Sequence, residues 1–272
     1  MDKSPDFEKA VDTKPLLKEK TIHRQWINQF RTDQNLTYFN LVLDYILKFI
    51  MPSKTSTFLD IGCGSGTKSI LLANRGFKVH SIDFSDSALN FAKKNIQLEK
   101  YKKLIKLFKE DVTALRFDEN YYENILCWGV LMHIIEYDKA IHEIYRVLKP
   151  GGFLIISESN MNSFTRIIIK PIIKLFYNFE NEFYKKEGIV RYVKKADGSL
   201  LSRVTNIQYL IEKFEKEGLV HCKTVSGQFT EFYSITESKT LKKVIHFLNN
   251  IWFKYIKYSK LSESNILIFK KP

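Results

Sequence analysis

Asp60-Ile61-Gly62-Cys63-Gly64-Ser65-Gly66 sets an acid and three alternating glycines directly after the apolar pair Phe58-Leu59. Glycine has no Cβ and tolerates positive φ, so such a run turns sharply and lets backbone amides touch a ligand. Two more acids follow at intervals that suit the same ligand. Asp83 closes the run Phe77–Ile82, 17 residues after Gly66, and Asp111 closes Leu104–Glu110. At the carboxyl edge of a parallel sheet, the first of these can accept hydrogen bonds from both hydroxyls of a ribose. Dinucleotide sites and other adenosine sites share that arrangement. The second acid separates them, because a carboxylate there accepts from an adenine amino group while the next N–H, that of Val112, donates to a ring nitrogen. A dinucleotide would set its pyrophosphate on a helix N-terminus instead. A phosphate-cradling P-loop fails on spacing, since Thr67 separates Gly66 from Lys68-Ser69.

Alternating strands and helices must position these groups. The spacing predicts a helix from Thr67 to Arg75 with Gly76 beyond it, and a second helix capped by Ser85 and running through Ala88, Phe91, Ala92 and Ile96. Asn124–Ile134 reads as a fourth strand turning into a short helix. Tyr137–Leu148 reads as an amphipathic helix that Lys149-Pro150-Gly151-Gly152 stops, and Phe153–Ser157 as a fifth strand. Five strands alternating with helices indicate a parallel sheet covered on both faces. Two helices precede it, one with Ile22, Trp26, Ile27 and Phe30 on a face, the other from Leu36 to Ile50 and ended by Pro52. Trp26 is read as a core residue or as a contact to substrate.

Taken together, LDIGCGSG, SIDFS, EDVTAL, LCWGVLMHI and RVLKPGGFLIISE, spanning about residues 55–160, resemble a class I S-adenosylmethionine-dependent methyltransferase of the small-molecule subgroup. The resemblance implies an α/β, doubly wound Rossmann-like sheet of seven strands in order 3-2-1-4-5-7-6, strand 7 antiparallel, with S-adenosylmethionine as cofactor. It further implies that Asp60, Gly62, Gly64 and Gly66 line the methionine and ribose, that Asp83 holds the ribose, and that Asp111 and Val112 hold adenine. Cys127 and Trp128 would flank the methionine end. Exocyclic base amines are disfavoured as targets, because Cys127-Trp128-Gly129-Val130 stands where an Asn/Asp-Pro-Pro-aromatic motif would be needed. A hydroxyl acceptor needs a base, and His133 and Glu158 lie near the cleft mouth as candidates. A packing or capping role for His133, and a loop-supporting role for Glu158, stand beside that reading. No metal is expected.

The domain organisation expected is a flexible arm over 1–15 and a methyltransferase domain over 16–272. Within the latter are a cofactor core at 53–160, a cap insertion at about 160–205 and a second insertion at about 230–262. Phe164–Phe179 is strongly apolar, Asp197-Gly198 marks a hairpin turn, and Thr205 is placed to cap a helix that ends at Gly218. Strands six and seven are expected at Leu219–Val225 and Ile266–Phe269.

The formal charge of +13 is uneven. Residues 1–150 hold 23 Lys/Arg against 19 Asp/Glu, and residues 151–272 hold 20 against 11. The basic, aromatic stretch Leu241–Tyr258 suits peripheral contact with an anionic membrane, and so a lipid-linked acceptor. RNA is the alternative acceptor, and a non-catalytic cofactor-binding or assembly protein the alternative class. The polar start Met1–Asp6, the absence of an apolar run near 20 residues, and three scattered cysteines predict a cytoplasmic protein with reduced thiols.

Overall fold

The computed structural model describes residues 14–174, 182–195, 198–234 and 236–272. A seven-stranded sheet carries the fold. Its strands are β1 (Thr57–Ile61), β2 (Lys78–Asp83), β3 (Ile105–Lys109), β4 (Tyr122–Trp128), β5 (Leu148–Ser159), β9 (Val220–Ser226) and β10 (Ser264–Lys270). They lie in the order β3-β2-β1-β4-β5-β10-β9, with β1 to β5 parallel and β10 antiparallel to both neighbours. This is the expected α/β arrangement. Because β1 pairs with β2 on one side and β4 on the other, the strand order reverses at β1. A crevice opens above the strand ends at such a switch point.

Alternate strand residues feed two cores. Leu59, Ile61, Ile125, Ile156 and Leu267 pack on one face with Ile141 and Ile144 of α6 (Tyr137–Val147) and Leu210 and Phe214 of α8 (Ile207–Lys216). Phe58, Leu126, Ile155, Ile266 and Ile268 pack on the other with Val42, Leu43 and Ile46 of α3 (Asp33–Ile50). Each such side chain, fully buried, contributes about 1.5–3 kcal/mol. Strands covered on both faces need continuous apolar runs, which is what these segments supply.

Between β5 and β9 lies a separate antiparallel sheet of β6 (Glu182–Lys185), β7 (Gly188–Lys195) and β8 (Gly198–Thr205). Of the expected Asp197-Gly198 turn, Gly198 opens β8 and pairs with Lys195, while Asp197 lies outside the described residues. The strand β6 has no counterpart in the sequence reading, because Glu182–Lys185 is short and shows no clean alternation. Two boundaries also differ. Asn206, not Thr205, caps α8: its side chain accepts from the Tyr209 N–H, while Thr205 finishes β8. Leu148–Gly152 belongs to β5 and meets β4 through a register shift between Tyr122 and Asn124.

The N-terminal segment begins with α1 (Lys14–Leu17) and α2 (Lys20–Phe30). Residues 1–13 of the expected arm lie outside the described residues, whereas Lys14 and Pro15 are helical. The apolar stretch from Phe164 enters a π-helical turn, Thr165–Ile169, and then α7 (Lys170–Lys174); 175–179 are outside the described residues. The remaining helices are α4 (Thr67–Ala73), α5 (Asp86–Gln97) and α9 (Lys239–Ile251), the last continuing into a π-helical turn at Trp252–Ile256. No described helix is long and apolar enough to cross a membrane.

Candidate functional site

A cavity of about 910 Å³ opens above the carboxyl ends of β1, β2 and β4, roofed by α2 and the start of α3. That is near the top of the range for small-molecule sites. The glycine turn forms its floor. Gly62, Gly64 and Gly66 all take positive φ (63°, 54° and 76°), a conformation that favours glycine. A Cβ on Gly64 would meet nothing within 4 Å, so its backbone borders open space. A Cβ on Gly62 would stand 2.4 Å from the Val130 side chain, so only glycine lets the β4 loop close over the turn.

Asp83 ties the turn to the next strand. One carboxylate oxygen accepts from the Gly64 N–H at 3.0 Å and the other from the Ser85 N–H at 2.9 Å. Burial pushes its carboxyl above the ordinary value, against the pull of those two amides. Each oxygen keeps a further lone pair for a ligand hydroxyl. Asp111 marks the far end: one oxygen pairs with the Lys14 ammonium at 2.8 Å and the other accepts from the Thr113 N–H and hydroxyl. Its burial would raise the carboxyl, but Lys14 and Thr113 outweigh that and hold it below the ordinary value.

His133 occupies the 3₁₀ turn Leu131–His133 after β4. Its Nδ1 lies 2.7 Å from the Leu201 carbonyl oxygen. A carbonyl only accepts, so Nδ1 carries the proton and Nε2 keeps the lone pair. The ring stacks on Trp26, centroids 5.5 Å apart and planes 23° apart. Burial lowers its pKa, so the ring is neutral at pH 7. Glu158 is held differently. One oxygen accepts from the Leu131 N–H at 2.9 Å, and burial pushes the carboxyl up to about 8 against the pull of the Leu131, Val130 and Met132 amides and of the Arg203 charge. Through the Leu131 N–H, Glu158 braces the turn that carries His133.

The cavity wall thus brings together Gly62, Gly64, Asp83, Asp111, Val112, Trp128, His133 and Glu158. Three expected residues do not line it. Asp60 is buried and accepts from the Ser69 hydroxyl, Gly66 packs where a Cβ would stand 3.3 Å from Ala92 and Ile96, and Cys127, within β4, turns its side chain into the core. Two residues were missed. Lys68 lines the cavity, its ammonium 4.4 Å from the Phe39 ring centre and 5.5 Å from that of Trp128, and burial lowers its pKa to about 8. Buried Arg203, on β8, donates to the Leu131 and Ile134 carbonyls at 3.0 and 3.3 Å and clamps the His133 turn. Among the described residues, no group of three or more His, Cys, Asp or Glu is placed to hold a metal ion.

Residues 59–156 match the family model described as a methyltransferase domain. A ubiquinone biosynthesis O-methyltransferase of Nitrosomonas europaea is 30% identical over 176 residues, covering 62% of this chain and 74% of that protein. The chain belongs to the class I S-adenosylmethionine-dependent methyltransferases. S-adenosylmethionine is the methyl donor of this methyltransferase. Two solved structures share the fold. One is a protein of Pyrococcus horikoshii (TM-score 0.62, 13% identity, 93% of this chain and 100% of that one). The other is an S-adenosylmethionine-dependent methyltransferase from Clostridium acetobutylicum (TM-score 0.59, 13% identity, 92% and 98%). The residues present fit the cofactor: the Gly64 backbone borders an open cradle, and two carboxylates stand at successive strand ends of one cavity.

Proposed function

We propose that this methyltransferase is a cytoplasmic enzyme that methylates a hydroxyl of a small-molecule acceptor, a sugar or a lipid-linked precursor. The observation that carries the reading is the neutral His133 ring on the cavity wall, its Nδ1–H committed to Leu201 and its Nε2 lone pair uncommitted. The O-methyltransferase relative supports a hydroxyl acceptor. A lipid-linked acceptor also suits contact of the basic, aromatic C-terminal helix with an anionic membrane.

S-adenosylmethionine supplies, when bound, an electrophilic methyl on a sulfonium whose bonding pair returns to sulfur on displacement. The chain's own residues do the rest. Asp83 accepts from the ribose hydroxyls, Asp111 from the adenine amino group, and the Val112 N–H donates to the ring. Gly62 and Gly64 give backbone contact, Trp128 flanks the methionine end, and the Lys68 ammonium attracts its carboxylate. Asp60, Gly66 and Cys127 support the turn from behind. His133 Nε2 takes the proton of the acceptor hydroxyl as the new carbon–oxygen bond forms, and Trp26 holds the imidazole in plane. Fixing the acceptor oxygen behind the methyl supplies much of the acceleration. The proposed organisation is a cofactor core at 53–160, a cap at about 160–205 that positions His133, and an insertion at about 230–262.

Incubating the enzyme with methyl-labelled cofactor and fractionated cell extract tests the reading. Label in a hydroxyl-bearing small molecule or lipid supports it. Label in RNA, or on nitrogen or carbon, contradicts it.

A further inference from the structure

The helix α9 turns its apolar side away from the protein. Ile245, His246 and Asn249 face inward, while Leu241, Val244, Phe247 and Leu248 are 47%, 47%, 63% and 45% exposed. Spacings of three and four residues place these four on one stripe, the reverse of a helix that serves only a core. The stripe continues into Tyr255, Ile256 and Tyr258, all exposed. Around it the stretch 238–260 holds six lysines and no Asp or Glu.

A neighbouring segment adds to the same region. Phe164 packs on Phe229, and Phe229 on Trp252, with ring centroids 5.3 and 4.6 Å apart. The helical turns that follow Phe164 expose Ile167, Ile168 and Ile172. Stripes of exposed apolar side chains of this kind mark interaction surfaces in water-soluble folds.

We infer that this face docks on the surface of an anionic lipid bilayer, with the α9 stripe in the headgroup–acyl boundary and the lysines against lipid phosphates. An amphipathic helix with an apolar outer face and lysine flanks suits that surface. A two-fold dimer through the same face suits it poorly, because it would set six lysines of each copy against six with no carboxylate between them. RNA would satisfy the lysines but leave Leu241, Val244 and Leu248 against a hydrated backbone. Docking there also places the membrane beside the cleft: His246, on the inner side of α9, packs against Tyr233 with ring centroids 4.4 Å apart and planes tilted by 31°, and Tyr233 lines the cavity. The inference rests on the surface alone and stands whether or not the acceptor is a hydroxyl.

Flotation of the full chain with phosphatidylcholine vesicles, with and without phosphatidylglycerol, tests it. The wild type floats only with the anionic vesicles and is released by salt. Replacing Lys239, Lys242 and Lys243 by Gln together weakens vesicle binding about 100-fold. Phe247→Asp weakens it comparably, with far-ultraviolet circular dichroism and cofactor binding unchanged. His133→Ala floats like the wild type, which keeps the result separate from the methyl-transfer proposal. Equal flotation with neutral vesicles, or none with anionic ones, would overturn the inference. So would displacement of the protein from anionic vesicles by RNA, or a soluble dimer that Phe247→Asp converts to monomer while wild-type protein fails to float.

Discussion

The Leu201 carbonyl decides the tautomer of His133, and that decides which nitrogen keeps the lone pair the proposed base would use. Removal of the imidazole in His133→Ala should lower kcat by roughly 10²–10⁴-fold, with cofactor affinity unchanged. Because burial lowers the His133 pKa, the acid limb of the rate profile should fall below pH 6.5, the ordinary histidine value. Glu158 makes a different prediction. A carboxyl raised on folding binds its proton more tightly in the folded state, so its contribution is full below about pH 4.5 and is lost as pH climbs through about 8. Glu158→Gln keeps the acceptor for Leu131 and removes the ionisation. Urea midpoints of this variant should therefore stay flatter than wild type over that window. The placements most legible in the sequence are those of Asp83 and Asp111, because a residue at or just past the end of a parallel strand stands at the edge where the cavity opens. Asp60, Gly66 and Cys127 were less so, because adjacency in a motif does not say which side of the turn a side chain takes. In the sequence Lys68 stands only as a lysine displaced from a P-loop position. Nothing local showed that Phe39, 29 residues earlier in the chain, would help to hold it.

Strand β8 acts at the scale of elements, since it brings both the Leu201 carbonyl and the Arg203 guanidinium to the His133 turn. Arg203→Leu should lower kcat/KM by roughly 10²-fold through misplacement of the ring. It should also shift the acid limb upward, since the guanidinium helps to keep His133 neutral. A purely structural defect would leave that limb in place. At the start of α4, Gly66→Ala should destabilise by about 1–3 kcal/mol in denaturant unfolding, because φ is 76° and the new methyl meets Ala92 and Ile96. The sheet strands and most helices were legible because continuous apolar runs and 3.6-residue stripes are local signals. β6 and the Asn206 cap were not. The first depends on pairing with β7, and the second on which of two adjacent capping residues the end of β8 leaves available.

At the scale of the whole molecule, the α2–α3 roof, the glycine turn and the three-stranded sheet meet around one cavity, and the lysine-rich face of α9 lies behind one wall of it. The strand order could be expected from the resemblance of five blocks, whereas the roof and the outward stripe depend on long-range packing that no single segment announces. The central claim is that the cofactor is held where Asp83 ties β2 to the glycine turn. Calorimetric titration of S-adenosylmethionine into wild type, Asp83→Ala and Asp83→Asn tests it directly. Losing a charged acceptor for hydrogen bonds should weaken binding by about 10- to 100-fold in both variants, with Asn retaining the fold if Ala does not. Wild-type affinity in a folded Asp83 variant, or no binding by the wild type, would contradict the account.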